Sequence, residues 1–314
     1  MQNTERKAQP DGHFKLFVLA VFRGISQVLL IENAATGLIV LAAIVISSYP
    51  LGLIALACSV IGTWIGYSGG KNRATAAQGL FGYNSVLAGL AFSLYLDGSA
   101  KWAFALAGAA VAALATAAAM HVMRHFGLPV LTFPYIVLTW MWLLAAFHLN
   151  VVHLNAKIQP QDIVSLQPDL KAGTIEWLTG LINGVGQVYF VEGLVSGILI
   201  LLAIFVAGWR LGLYAIAGTV IGGITAYGLG AEITMLNSGL YGFNAVLAVL
   251  AVSFAYRHAG GNNFPAGLLA AILTVPVAAG IETWLNPYGL PALTMPFVLV
   301  TWVMIAGRQL LNKP

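Results

Sequence analysis

Apolar positions run along this chain in long blocks, separated by short polar or Gly/Pro punctuation instead of alternating with charge. Blocks at about 33–48, 51–68, 79–96, 102–123 and 130–149 are each near the ~17 to 25 residues that a membrane-spanning helix needs. The turn "SSYPLGL" divides the first two, because proline and glycine end helices there at little cost. The same order returns at 196–208, 211–228, 239–256, 264–284 and 294–310. A segment at 14–31, amphipathic and carrying Lys15 and Arg23, precedes the first set, and a short helix near 176–191 precedes the second. Such a segment suits a re-entrant or interfacial helix better than a span. The pattern predicts an all-α integral membrane protein of ten spans with two re-entrant helices.

Composition narrows the class. Of 314 residues, 60% are hydrophobic and 8% charged, with mean hydropathy +0.88, whereas soluble domains carry about 25% charged residues. The 35 glycines fit helices whose backbones approach closely in lipid. Cys58 is the sole cysteine, which excludes an internal disulfide or a thiolate cluster and suits a small buried apolar residue. The opening segment "MQNTERKAQPDGHFK" has no apolar core followed by a small-residue cleavage site, so the mature chain is expected to begin there. The net charge of +4 is dispersed and makes no basic face, which argues against a nucleic-acid partner.

The two sets of blocks are copies. "GISQVLLIENAATG" from Gly24 aligns with "GVGQVYFVEGLVSG" from Gly184, and "FGYNSVLAGLA" from Phe81 with "YGFNAVLAVLA" from Tyr241, both 160 residues apart. "LPVLTFPYIVLTW" from Leu128 aligns with "LPALTMPFVLVTW" from Leu290 at 162. The expected organisation is a polar tail at 1–12, a first repeat at 13–150, a polar linker at 151–175 and a second repeat at 176–314. An odd number of crossings per copy inverts the second relative to the first. With both termini cytoplasmic, eleven basic residues lie inside (Arg6, Lys7, Lys15, Arg23, Lys71, Arg73, Arg124, Arg210, Arg257, Arg308, Lys313) and three outside (Lys101, Lys157, Lys171). That bias is what the positive-inside rule requires.

Paired polar residues within apolar blocks carry the candidate chemistry. Pro129 and Pro134 bracket Thr132, and Pro291 and Pro296 bracket Thr294. Proline suits a first helical turn, so each phrase reads as a helix starting inside the membrane, with its threonine near the cap and the two threonines meeting near the midplane. For one copy alone, a capped and kinked helix with no ligand is the alternative. Gln27 and Gln187 match, each followed three residues later by an apolar side chain, Leu30 or Phe190. A glutamine in hydrocarbon must find partners, either a neighbouring helix or a solute. Tyr83 with Leu87, and Phe243 with Leu247, stand at i and i+4 as apolar plates on one helical face. Such a stripe serves a core as readily as a passage. Glu32 and Glu192 match as well, either as caps of the following helices or as proton carriers. Asn84 and Asn244 are expected to satisfy neighbouring backbone. His121, His125, His148, His153 and His258 have no repeated partner and no metal-site spacing, so no metal or other cofactor is expected.

The doubled "LPxLTxPF" phrase, with the glutamine and aromatic–leucine pairs in both copies, resembles the urea transporters over nearly the whole chain outside the first dozen residues and the linker. That resemblance implies a homotrimer with one pore per subunit, passive channel-like passage of urea and close analogues, and a multi-pass position in the plasma membrane, or the inner membrane of a bacterium. It places Gln27, Leu30, Tyr83, Leu87 and Thr132 along one end and the midplane, and Gln187, Phe190, Phe243, Leu247 and Thr294 along the other. Departures are the hydroxyl of Tyr83, Leu30 in place of an aromatic, and Tyr135 in place of phenylalanine. Rival readings are a pore or proton-coupled transporter for another small neutral solute such as ammonia or a short amide, an intramembrane enzyme, and an assembly protein. The enzyme lacks a nucleophile–base pair or metal cluster at workable spacing, and the assembly protein leaves the matched polar residues unexplained.

Overall fold

The computed structural model describes residues 10–69, 73–158, 160–161, 173–257 and 263–311. Helix α1 (Pro10–Ser26) runs into a 3-10 turn at Gln27–Leu29, then α2 (Ala34–Ser47), α3 (Tyr49–Ser68), α4 (Arg73–Ala77), α5 (Gly82–Tyr95), α6 (Lys101–Met123) and α7 (Phe133–Ala145) follow. The second set is α8 (Trp177–Gly186) with a 3-10 turn at Gln187–Tyr189, α9 (Leu194–Ala207), α10 (Trp209–Gly228), α11 (Ile233–Asn237), α12 (Gly242–Arg257), α13 (Asn263–Leu285) and α14 (Met295–Leu311). The one departure from all-helical structure among the described residues is a ribbon in which β1 (Leu96–Asp97) pairs antiparallel with β2 (His153–Leu154). It fastens the start of the linker to the end of α5, helped by Asn155 Nδ2 donating to Asp97 Oδ2 at 2.6 Å.

Local chemistry sets these boundaries. Asn33 caps α2, its Oδ1 accepting from Ala35 N at 2.9 Å and Thr36 N at 3.1 Å, an oxygen that meets donors the helix cannot satisfy itself. The neighbouring Glu32, a candidate cap in the sequence, is exposed and stands 3.9 Å from Arg23 instead. Pro50 and Pro134 fall in first turns, where a missing N–H costs nothing. Gly127 and Gly289 take left-handed backbone and close the 3-10 tails after α6 and α13.

By length and apolar content, four helical stretches suffice to cross a membrane: Tyr49–Ser68, Lys101–Phe126, Trp209–Gly228 and Phe264–Tyr288. Two bent pairs raise that number to six: His13–Leu29 with Ala34–Ser47, bent by 75°, and Trp177–Tyr189 with Leu194–Ala207, bent by 70°. The blocks at 79–96 and 239–256 fold as the shorter helices α5 and α12, 14 and 16 residues long. Their first residues are apolar yet form the turns after α4 and α11, so hydropathy counts them as helix. Lys7, Arg6, Lys71, Lys171, His258 and Lys313, with 159 and 162–172 of the linker and 1–9 of the N-terminal tail, lie outside the described residues.

Packing follows the sequence repeat. Helices α3, α5 and α6 pack on one another, α10, α12 and α13 do likewise, and the two groups meet where α2 lies against α9 and α7 against α14. Thr36 Oγ1 donates to Ala203 O across the α2–α9 contact at 2.9 Å. Cys58 is fully buried, as its apolar reading expects. A close backbone approach with left-handed backbone recurs at matched places: Gly79 (φ +82°) packs against Arg23 and Gly24, and Gly239 (φ +79°) against Asn183 and Gly184. Gly79→Ala combines left-handed strain with a clash against fixed backbone, and its expected cost is about 2 to 4 kcal/mol. Thermal unfolding in detergent checks it, with Gly228→Ala, where an added methyl meets open space, expected to leave the midpoint in place.

Candidate functional site

The two proline phrases meet at the centre of the molecule. Thr132 stands at the N-terminus of α7, but its hydroxyl makes no cap bond. It lies instead 2.7 Å from the hydroxyl of Thr294. Around this pair the contacts are reciprocal. Trp140 Nε1 donates to Pro291 O at 2.8 Å, and Trp302 Nε1 donates to Pro129 O, also at 2.8 Å. Residue i of one phrase touches j of the other, and j touches i, which is the signature of a two-fold relation. The carbonyls that the prolines leave outside helical bonding are thereby satisfied from the opposite phrase.

Strained backbone marks the same places. The described non-glycine residues with positive φ are Leu30 (61°), Leu131 (51°), Phe190 (58°) and Leu293 (52°). They form two matched pairs, one directly after the 3-10 turns and one directly before the threonines. For bulky side chains this conformation is an outlier that surrounding packing must hold in place. Nothing in a leucine or phenylalanine announces it, so the sequence gives no sign of it beyond the repeat itself.

The glutamines occupy matched settings. Gln27 Nε2 donates to Gln78 O at 3.0 Å, and Gln187 Nε2 to Ser238 O at 3.2 Å and to Glu192 Oε1 at 2.9 Å. Each amide nitrogen is thus committed to protein while neither Oε1 has a partner among the described residues. Glu32 and Glu192 are exposed beside them, the first near Arg23 and the second on Gln187. Neither caps a helix.

The plates lie deeper. Leu87 and Leu247 are fully buried, and Tyr83 and Phe243 nearly so, at 4% and 9% exposed. Leu30, Gln187 and Phe190 are half-buried. Gln27, at 9% exposed, is as buried as Phe243, and Thr132 and Thr294 stand at 0% and 4%. A small recess lined by Trp177, Thr219, Asn237 and Tyr241 touches none of these ten residues.

The partners of several polar groups at the site are set by how distant segments cross and cannot be read from the sequence pattern. Tyr83 Oη donates to Leu131 O at 2.7 Å, joined by Asn84 Nδ2 at 3.3 Å, while Leu293 O receives only Asn244 Nδ2 at 3.2 Å because Phe243 has no hydroxyl. The asparagines thus serve backbone as expected. Tyr135 Oη lies 3.0 Å from Thr294 Oγ1. Thr139 and Thr301, seven residues beyond the central threonines, are fully buried, and their hydroxyl oxygens have no partner among the described residues. The doubled "TW" ending of each phrase was the available signal for Thr139, Thr301 and the two tryptophans. No group of three or more His, Cys, Asp and Glu suited to a metal occurs among the described residues.

Long apolar helices, apolar surface outside and matched polar groups turned inward define an α-helical multi-pass membrane protein with an internal polar seam. The family model for the urea transporters matches residues 18–309, and the chain belongs to that family, which groups it with transporters and not with enzymes. It is 28% identical over 295 residues to urea transporter 1 of Ovis aries, covering 92% of this chain and 76% of that protein. It is 27% identical over 289 residues to urea transporter 1 of Rattus norvegicus, covering 91% and 75%.

The indole bonds offer a direct check. Trp140→Phe and Trp302→Phe each leave a proline carbonyl without its donor, and each is expected to lower stability by about 1 kcal/mol. Thermal midpoints of the single and double variants measure this, with the two losses adding.

Proposed function

We propose that the chain conducts urea passively through a narrow uncharged slot lined by Gln27, Leu30, Tyr83, Leu87 and Thr132 from one repeat and Gln187, Phe190, Phe243, Leu247 and Thr294 from the other. The scaffold is ten spans in two inverted repeats, 13–150 and 176–314, each with a re-entrant helix. Both termini are cytoplasmic, the subunits form a homotrimer, and the surrounding lipid is that of a plasma or bacterial inner membrane. The single observation that carries the reading is the buried threonine pair at 2.7 Å, held where the two matched phrases cross.

Urea is flat and neutral, with donors on both nitrogens and one carbonyl acceptor. In a bare apolar slot its five polar groups would go unmet at roughly 1 to 3 kcal/mol apiece, about 5 to 15 kcal/mol together. The free Oε1 atoms of Gln27 and Gln187 and the threonine oxygens supply acceptors, while Tyr83, Phe243 and the four flanking apolar side chains cover the faces. Recovering about 8 kcal/mol speeds passage by around a million-fold. Ions gain no compensating charge in such a slot and stay hydrated outside. Glu32 and Glu192 sit exposed at the ends and already paired, which supports passive conduction over proton coupling.

Thr132→Val and Thr294→Val keep shape and remove a hydroxyl. Each is expected to slow urea release from reconstituted vesicles about ten-fold in stopped flow, with the assembly unchanged by size-exclusion chromatography. Unaltered flux in both variants rules the threonines out of the path.

A further inference from the structure

The threonine pair has a hydrogen too many. Two hydroxyls 2.7 Å apart share one hydrogen bond, which leaves one O–H with nowhere to go inside the pair, and neither oxygen has another threonine or backbone partner among the described residues. For a solute arriving with N–H groups, that leftover hydrogen points donor at donor and removes one of the two acceptors. Tyr135 changes the count. It is fully buried in the first turn of α7, with its phenol oxygen 3.0 Å from Thr294 Oγ1. The matched residue in the second phrase, Phe297, is equally buried and has no hydroxyl, so the third oxygen exists on one side only.

We propose that Tyr135 takes up the hydrogen that the threonine pair cannot place, so that both threonine oxygens accept from a solute presenting two parallel N–H groups. In that state Thr132 donates to Thr294, Thr294 donates to Tyr135, the one hydrogen left unpaired is the phenol's own, and lone pairs of both threonines are open to the solute. The chain of three hydroxyls also reverses. With the phenol donating to Thr294 and Thr294 to Thr132, the free hydrogen moves to Thr132 and meets a carbonyl oxygen. Hydroxyl hydrogens rotate freely between these settings, and a chain of hydrogen bonds turns as a unit because each bond polarises the next. The same three side chains therefore serve the N–H edge and the carbonyl of one solute in succession as it slides past. Tyr135 acts through Thr294 and is a positioning residue. The inference rests on the threonine pair lying in the conducting path.

The two-acceptor setting benefits solutes with an amino group on each side of the carbonyl carbon, which urea and thiourea have and formamide lacks. Tyr135→Phe keeps the ring and copies the residue that the second phrase already holds at this place, so the fold is retained. The experiment compares stopped-flow release of urea, thiourea and formamide from vesicles carrying the intact protein or the variant, with the thermal midpoint measured alongside. Urea and thiourea are expected to slow about five-fold while formamide holds its rate, so that the urea-to-formamide ratio falls by the same factor. A proportional loss for all three solutes, or no loss for any, overturns the assignment. Failure of the underlying reading shows differently, as urea flux unaffected by Thr132→Val and Thr294→Val.

Discussion

Everything in this molecule is arranged around two helix starts whose threonines meet in its buried centre. A helix start leaves backbone groups without partners, and in an apolar interior each such group costs about 1 to 3 kcal/mol. Here the two starts answer each other. Each proline carbonyl is met by a tryptophan from the opposite phrase, and the two threonine hydroxyls meet on the line between them. One copy could not do this. The reciprocal bonds tie the two copies together at this point, and the pairing of α2 with α9 extends the contact outward.

The near-symmetry makes its exceptions informative. Tyr83 and Tyr135 add hydroxyls that Phe243 and Phe297 lack, and both are committed within the centre, one to Leu131 O and one to Thr294. Arg23 stands near Glu32, whereas the matched position beside Glu192 is Asn183, which binds Asn237 O and Gly193 N instead. The two ends of the seam are therefore chemically distinct although the backbone is repeated.

Much of this was legible in the residues. Matched offsets of 160 and 162 give the repeat, and a polar side chain recurring at matched places in apolar surroundings singles out Thr132 with Thr294 and Gln27 with Gln187. Family membership bears out the resemblance read from the doubled phrase. What stayed hidden has physical causes. Left-handed backbone at Leu30, Leu131, Phe190 and Leu293 runs against the preference of those residues and is imposed by tertiary packing, which no local rule anticipates. Apolar turn residues before Gly82 and Gly242 look helical to hydropathy. Glu32 looked like a cap, but the shorter side chain of Asn33 reaches the first N–H groups of α2 with better geometry. The hydroxyl of Tyr135 is visible in the sequence as a departure, yet its reach to Thr294 depends on how two distant segments cross.

The reciprocal tryptophan bonds also set a timetable for biogenesis. Trp302 follows Pro129 by 173 residues, and a ribosome adding ~5 to 20 residues per second needs on the order of ten to thirty seconds to make that stretch. Through that interval the first phrase lacks both the indole donor and the second hydroxyl, so the central contacts close only after both copies have been translated.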